Sequence, residues 1–432
     1  MEPPDFGANR RGELDYTGAP MGSKAPNELA RLLLVWNHVP CKTTGAGIIM
    51  RRLFQGYPAE KLWLLTSSVV ARSVASFDPI PPLDRQHTVF QVFFPHRYVD
   101  RLAEILNAMM LPVMVWRGIR LARKNGIEAL FTVPWNALFV AAYFIHRFTG
   151  LPLFVYIMDD PAGMPSQPAW KAIFYRLLMP KILRSASRVW CVSSYTCEEF
   201  ERRYSVRCEP LWPPVEIEEF RKGREEAAGP SSGTVRIVYT GAIYDAQIDA
   251  LQNLVQVLSF RDPAPHGGKQ FHLTLCTSLP NRTLERMALT GPAVRSQHVR
   301  LQDMPRVLAE ADILFLPYTF KAQLEHVART SFPSKIAEYL SAGTPILVHA
   351  PPYATATRFF RDHGCGYVVD RPDAQALRQA LHTLSEDADL RRKLITHGLE
   401  VAKRTFDQQQ IIPAFRQALS QLPRRMPEPR KR

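Results

Sequence analysis

Residues 331–348 read SFPSKIAEYLSAGTPILV. Pro333 precedes Ser334, a residue suited to the N-cap of a helix. Lys335 falls in the first turn, where a cation opposes the helix dipole unless an anion shares the site. Glu338 lies one turn on, on nearly the same face as Ser334 and Lys335. Gly343 ends the helix and Pro345 opens the next strand, as helix stop signals require. A phosphate can meet the helix N-terminus and Lys335 while Glu338 accepts hydrogen bonds from sugar hydroxyls. On spacing alone a solvated helix face with an ordinary Lys and Glu stays equally open.

Outward from this stretch, short apolar runs alternate with helical patterns along nearly the whole chain. Residues 32–36, 61–66, 88–94, 129–133, 152–158 and 188–192 read as strands of a first series. Residues 235–239, 271–276, 313–317, 345–349 and 366–369 read as strands of a second. The proline-rich stretch CEPLWPPV at 208–215 separates the two, and a polar gap at 223–233 follows it. Two such series predict two doubly wound α/β domains, with ligands beyond the carboxyl ends of the strands. The expected division is a flexible leader at 1–30, domains at 31–214 and 215–405, a helix at 406–422 and a basic tail at 423–432. Gly45 and Gly47 lie between the first strand and a helix expected over 48–57. There they let backbone N–H groups approach a phosphate, or simply form a tight turn, since GAG is not a full GxGxxG.

Apolar residues at 46% and charged residues at 22% exclude a wholly disordered chain and a coiled-coil rod. No apolar run approaches the ~18–20 residues of a membrane span, and MEPPDFGANRRGELDY lacks the apolar region of an export signal. A cytosolic protein is expected. The net charge of +14 invites a polyanion, but much of it sits in the tail and in 97–124 rather than in a groove. No nucleic-acid module is recognisable, so nucleic acid is not an expected partner. The 98–124 stretch mixes Leu, Met, Val and Trp with Arg and Lys, and Pro112 must kink or split it. It suits an anionic membrane interface or a core-facing helix pair with solvated arginines. The six cysteines form no CxxC pair and read as reduced, packed thiols. Asp159–Asp160 lacks D-x-D spacing and no H-x-x-x-H occurs, so no metal is expected. Ser193 and Ser194 lie outside any G-x-S-x-G elbow.

Four segments in this order, RVWCVSSYTCEEFERRY (188–204), VRIVYTGAIY (235–244), LAEADILFLPY (308–318) and FPSKIAEYLSAGTPILV (332–348), resemble the retaining glycosyltransferases of the GT-B fold, family 4 type (glycosyl transferases group 1). The resemblance runs over roughly residues 31–421. It implies two Rossmann-like domains facing a central cleft, with the C-terminal helix packing back toward the N-terminal domain. It implies a nucleoside-diphosphate sugar held by the C-terminal domain and a glycan or lipid-linked acceptor held by the N-terminal domain. Transfer would be metal-independent hexosyl transfer with retention, without a cofactor, in polysaccharide or glycolipid biosynthesis, in the cytoplasm or at the inner face of a membrane. Glu338 matches the glutamate that holds the ribose hydroxyls, and Gly241 the turn glycine beside the pyrophosphate. Gly45 and Gly47 match the N-terminal glycine loop, and Ser334 and Lys335 a variant of the donor helix.

Several positions depart from the pattern. Thr330, expected like Arg329 at the donor site, stands where the family has an acid that reads the donor sugar. Ala242 and Gln247 replace an Arg and a Lys that neutralise the departing diphosphate, for which Lys335 and Arg329 are the expected substitutes. Asp159 replaces a His and is expected, with Lys335, among the catalytic groups. These departures motivate a second reading, a sugar-nucleotide-binding or scaffold protein that keeps the fold without turnover.

Overall fold

The computed structural model describes residues 29–42, 44–68, 86–89, 106–161, 169–227, 233–259 and 269–422. The expected leader, the tail at 423–432 and residues 90–94 and 98–105 of two expected elements lie outside the described residues, save Leu29 and Ala30.

The first sheet has seven parallel strands: β1 (Leu32–Val35), β2 (Leu62–Ser67), β3 (Gln86–Val89), β4 (Ala129–Thr132), β5 (Leu153–Ile157), β6 (Arg188–Cys191) and β7 (Glu209–Pro210). Its order is β3-β2-β1-β4-β5-β6-β7. The second has six: β8 (Thr234–Thr240), β9 (Gln270–Cys276), β10 (Val294–Gln297), β11 (Ile313–Pro317), β12 (Ile346–His349) and β13 (Tyr367–Val369), in the order β10-β9-β8-β11-β12-β13. Every residue of β1, β2, β4, β5, β11 and β12 is buried. Strands covered on both faces read as continuous apolar runs, which is why they stand out in the sequence. In each sheet the order reverses beside its first strand, between β1 and β4 and between β8 and β11. The loops leaving these strands diverge and open a crevice at the carboxyl edge.

Pro112 splits its helix rather than bending it. A turn at Met110 ends the segment 106–109, and Pro112 sits in the first turn of Leu111–Lys124, where its missing N–H costs nothing. The helix expected over 48–57 begins at Gly45 instead and ends at Leu53. Ile217–Glu226, partly within the expected polar gap, is helical. Its charges hide the pattern, since Phe220 and Gly223 alone are buried there. Arg221 pairs with Glu218 and Glu225 one turn away on either side. Gly223 permits close packing, because a Cβ there would meet the Pro305 backbone carbon at 2.7 Å. The helix Thr355–His363 was also not expected.

Two chain crossings join the domains side by side. The Val215 N–H donates to the Phe406 carbonyl at 2.8 Å, and the Gln408 N–H to the Val215 carbonyl at 3.0 Å. Trp212 fills this junction, with ring centroids 5.2 Å from Phe332, 5.9 Å from Phe359 and 5.5 Å from Phe406. The last helix, Gln408–Ser420, then returns to the first domain. Its Phe415 packs 5.4 Å from Phe54, 5.9 Å from Phe131 and 5.5 Å from Trp190. Among the described residues no helix is long and apolar enough to cross a membrane. All six cysteines are buried free thiols.

Phe415→Ala should destabilise the first domain by about 3–5 kcal/mol, the range for emptying a buried aromatic site. Urea unfolding followed by tryptophan fluorescence reads this directly. An unchanged midpoint would mean the last helix is not part of that core.

Candidate functional site

The helix Lys335–Ala342 ends at Gly343, whose φ of +67° suits glycine. Ser334 occupies the N-cap position, but the expected side-chain cap is not made. Its backbone is helical (φ −57°, ψ −26°), whereas a capping serine needs an extended backbone to reach the N–H groups. Lys335 reaches back to the end of β8. Its Nζ donates to the Thr240 carbonyl at 2.8 Å and lies 3.9 Å from the Tyr239 ring centroid. Burial lowers its pKa to about 7, against the opposing charge of Glu338. Gly241 turns the chain here at φ +100°, and a Cβ on it would stand 3.6 Å from the Lys335 Nζ. The Tyr339 hydroxyl accepts from the Thr240 N–H at 2.9 Å, fastening the helix to the same strand end.

The glycine loop of the first domain faces this helix. A Cβ on Gly45 would lie 3.3 Å from the Ser334 Oγ. Gly47 plays a different part from the one expected. The Thr44 hydroxyl caps the helix Gly45–Leu53 by accepting the Gly47 N–H at 3.1 Å, so that N–H already has a partner. A Cβ on Gly47 would also collide with Cys41 and Thr44. His38 braces the loop: its Nδ1 accepts the Val39 N–H at 2.7 Å and its Nε2 lies 3.1 Å from the Thr44 Oγ1. Burial lowers the His38 pKa, against the pull of the Val39 carbonyl 2.9 Å from Nδ1, which favours the charged ring.

Asp159 follows β5 and meets the second domain through the Ser331 hydroxyl, which donates to its Oδ1. Burial raises its pKa, the Ser331 bond opposes this, and the neighbouring Asp160 charge adds to it. Tyr244 and Tyr318, not singled out in the sequence, stand close enough to feel the Asp159 charge. Burial raises the Tyr318 hydroxyl's pKa, and the Asp159 charge adds to the rise. Thr330 is buried with its hydroxyl donating to the His326 carbonyl at 2.9 Å, so that hydroxyl serves its own helix. The Thr330 carbonyl accepts from the Thr196 hydroxyl at 3.0 Å. Arg329 is exposed and held by Glu325 at 2.7 Å and by the Tyr353 ring at 4.6 Å. Gln247 is buried and receives the Tyr244 N–H at 3.3 Å, bracing the turn that Gly241 opens.

Asp160 is structural. It is buried, pairs with Arg203 and lies 3.1 Å from the His326 Nε2. Arg203 also meets Glu199 at 2.6 Å. Among the described residues no group of three or more His, Cys, Asp or Glu is placed to hold a metal ion. Glu338 is met by a residue from far away in the chain: Arg52 Nη2 lies 2.9 Å from its Oε1, and Arg52 Nη1 donates to the Pro214 carbonyl at 3.1 Å. A cavity of about 940 Å³ between β6, β7 and the last helix contains Arg184, Arg188 and Arg207 but none of the residues expected at the site.

Residues 234–387, which hold the second sheet, match the family model described as Glycosyl transferases group 1. A search of curated proteins finds no match. Among solved structures, Anabaena HepE (Alr3699) in complex with UDP and glucose superposes with a TM-score of 0.62 at 15% identity, over 91% of this chain and 100% of that one. A glycosyltransferase from Rickettsia africae gives 0.60 at 12% identity, over 91% and 97%. WaaG, a glycosyltransferase involved in lipopolysaccharide biosynthesis, gives 0.55 at 13% identity, over 90% and 98%. At these identities the likeness establishes the fold, the GT-B arrangement of two Rossmann-like domains.

The Lys335 ammonium gives a pH signature. Its pKa is about 7 when folded and 10.5 in an unperturbed chain. The folded state therefore bears the full cost of burying the charge below about pH 7, and that cost fades as pH rises toward 10.5. Lys335→Met should raise the urea midpoint most at pH 6, with the gain shrinking by pH 9. A gain that is constant with pH would place the ammonium in water.

Proposed function

We propose that this chain is a group 1 glycosyltransferase that moves a sugar from a nucleoside-diphosphate sugar to a hydroxyl of a glycan or lipid-linked acceptor. The observation that carries the reading is the convergence of Lys335, Gly241 and Glu338 with Gly45 and Ser334, where the carboxyl edges of both sheets meet. The family match over 234–387 supports it. We assign the donor to residues 215–405 and the acceptor to residues 31–214. The Lys335–Ala342 N-terminus and the Lys335 ammonium suit a diphosphate, because both present positive charge to it. Glu338 suits ribose hydroxyls.

Transfer breaks the bond between sugar C1 and the phosphate oxygen and forms one from C1 to the acceptor oxygen. Negative charge grows on the departing diphosphate, where Lys335 and the helix end stabilise it. In the retaining course that we favour, the departing phosphate oxygen takes the acceptor proton, so no protein base or metal is required. Asp159, with its raised pKa and its bond to Ser331, suits a hydrogen bond to a sugar or acceptor hydroxyl. Thr330 and Gln247, both engaged inside the protein, favour the alternative of a binding protein without turnover.

An acceptor anchored in lipid fits the outer face of the first domain. Met109, Val113 and Trp116 are 70%, 39% and 56% exposed, and Phe148 on the neighbouring helix Ala137–Thr149 is 57% exposed. Val113 and Trp116, three residues apart, lie on one face of the helix Leu111–Lys124, and Met109 ends the segment just before it. Arg120 stacks 5.5 Å over Trp116, and Arg117, Arg123 and Lys124 share a helix that contains no acidic residue. Such a face suits peripheral contact with an anionic membrane surface.

Calorimetric or thermal-shift titration with UDP-, GDP-, ADP- and dTDP-sugars tests the donor assignment. A ligand at about 100 times its Kd should add roughly 2.7 kcal/mol to the folded state. Glu338→Ala should weaken nucleotide binding about 10- to 100-fold, as loss of charged hydrogen bonds does, and unchanged affinity would remove Glu338 from the site. Binding without release of free nucleotide, with or without acceptor glycans, would select the non-catalytic alternative. Wild type should sediment with phosphatidylglycerol vesicles at low salt and Met109→Ser/Trp116→Ser should not. Equal sedimentation of both would end the membrane assignment.

A further inference from the structure

We propose that Arg52 is a positioning residue for ribose recognition, supplied by the acceptor-side domain to a carboxylate of the donor-side domain. The inference rests on the reading of Glu338 as the ribose ligand and adds to it the group that makes Glu338 fit for the task.

Arg52 lies on the last turn of the helix that Gly45 opens, the same helix whose first residue faces Ser334. Its two terminal nitrogens reach two separate segments. Nη1 takes the Pro214 carbonyl in the linker between the domains at 3.1 Å, and Nη2 takes the Glu338 Oε1 at 2.9 Å. Both side chains are mostly buried, at 17% and 16% exposed. A guanidinium is a planar fork with fixed donor directions, so its bond to the linker carbonyl sets the direction of its bond to Glu338. A carboxylate on a helix face otherwise samples several rotamers, and ordering it at ligand binding costs free energy.

Arg52 engages one oxygen only. Among the described residues no hydrogen bond is made to the Glu338 Oε2. An ionised carboxylate offers about four lone-pair sites, so it can hold Arg52 and a pair of vicinal hydroxyls together. Arg52 thus orients the acceptor of those hydrogen bonds without competing for it. Because the fork also grips the linker, ribose binding and the placement of the two domains are coupled through one side chain. Lysine could not substitute, since a single ammonium on a flexible stem cannot hold both partners in a fixed direction.

The test compares UDP, GDP and ADP with their 2′,3′-dideoxy counterparts by calorimetry on wild type, Arg52→Gln and Arg52→Lys. The wild type should prefer the ribonucleotide that it binds over the dideoxy form by about tenfold or more, the scale of charged hydrogen bonds. Arg52→Gln should weaken the ribonucleotide about tenfold and the dideoxy form less than about twofold, so the preference collapses. Arg52→Gln/Glu338→Gln should then be no weaker than Glu338→Gln alone, the mark of two residues acting as a unit. Should Arg52→Gln fail to fold, Arg52→Lys keeps the charge and carries the same comparison. Equal weakening of both nucleotide forms would make Arg52 a structural or phosphate-directed residue and overturn the proposal, as would no change in either. A wild type that binds a nucleotide but does not distinguish its dideoxy form removes Glu338 from the ribose and Arg52 with it. A folded wild type that binds none overturns the donor-site reading itself.

Discussion

A lysine ammonium resting on an aromatic ring and a single carbonyl is the interaction on which the proposed site turns. Lys335 has the Tyr239 ring and the Thr240 carbonyl as partners, and among the described residues no carboxylate pairs with it. Glu338, one turn on, is committed to Arg52 instead. Taking a charge from water is costly, and although the Glu338 charge opposes the shift, the Lys335 pKa falls. The protein thus holds positive potential at a helix N-terminus, where cations are already disfavoured. Such an arrangement is least unfavourable when an anion completes it.

Everything that aims Lys335 follows from strand order. β8 ends beside the place where the second sheet reverses, and the chain must leave it through a turn that only glycine adopts readily. The first sheet repeats the plan, so the loop after β1 and the start of its helix face the crevice of the second sheet. Glycine at position 45 allows the two helix starts to approach. Asp159 with Ser331, and Thr196 with Thr330, join the domains at the same level. Asp160 and Arg203 reach His326 and add a partly buried polar contact to that seam.

Much of this was legible in the sequence because it is local. The buried strands are apolar runs, Gly343 and Pro345 punctuate the donor helix, and Lys335 with Glu338 lie a turn apart. What could not be read depends on contacts between distant segments. Arg52 and Glu338 are 286 residues apart, and nothing in RRLFQGY marks Arg52 out from its neighbour Arg51. Gly47 looked like a phosphate glycine, but its N–H goes to the Thr44 hydroxyl and its missing Cβ makes room for Cys41. Ser334 had the right side chain for a cap and the wrong backbone angles. The helix Ile217–Glu226 lacks the apolar stripe that marks a helix in sequence, since Phe220 and Gly223 are its buried residues and charged side chains fill most other positions.

The return of the last helix to the first sheet makes the first domain discontinuous in sequence. Its aromatic core at Phe54, Phe131 and Trp190 is closed by Phe415, which arrives only after the whole second domain has been synthesised. Domains emerging from the ribosome generally fold as units and in order. Here the second domain, contiguous from β8 to β13, can complete its sheet first, while the first waits with an apolar face uncovered. The order of synthesis and the order of completion are therefore reversed, and a chain cut short before residue 408 would carry a finished donor-side sheet beside an unsealed acceptor-side one.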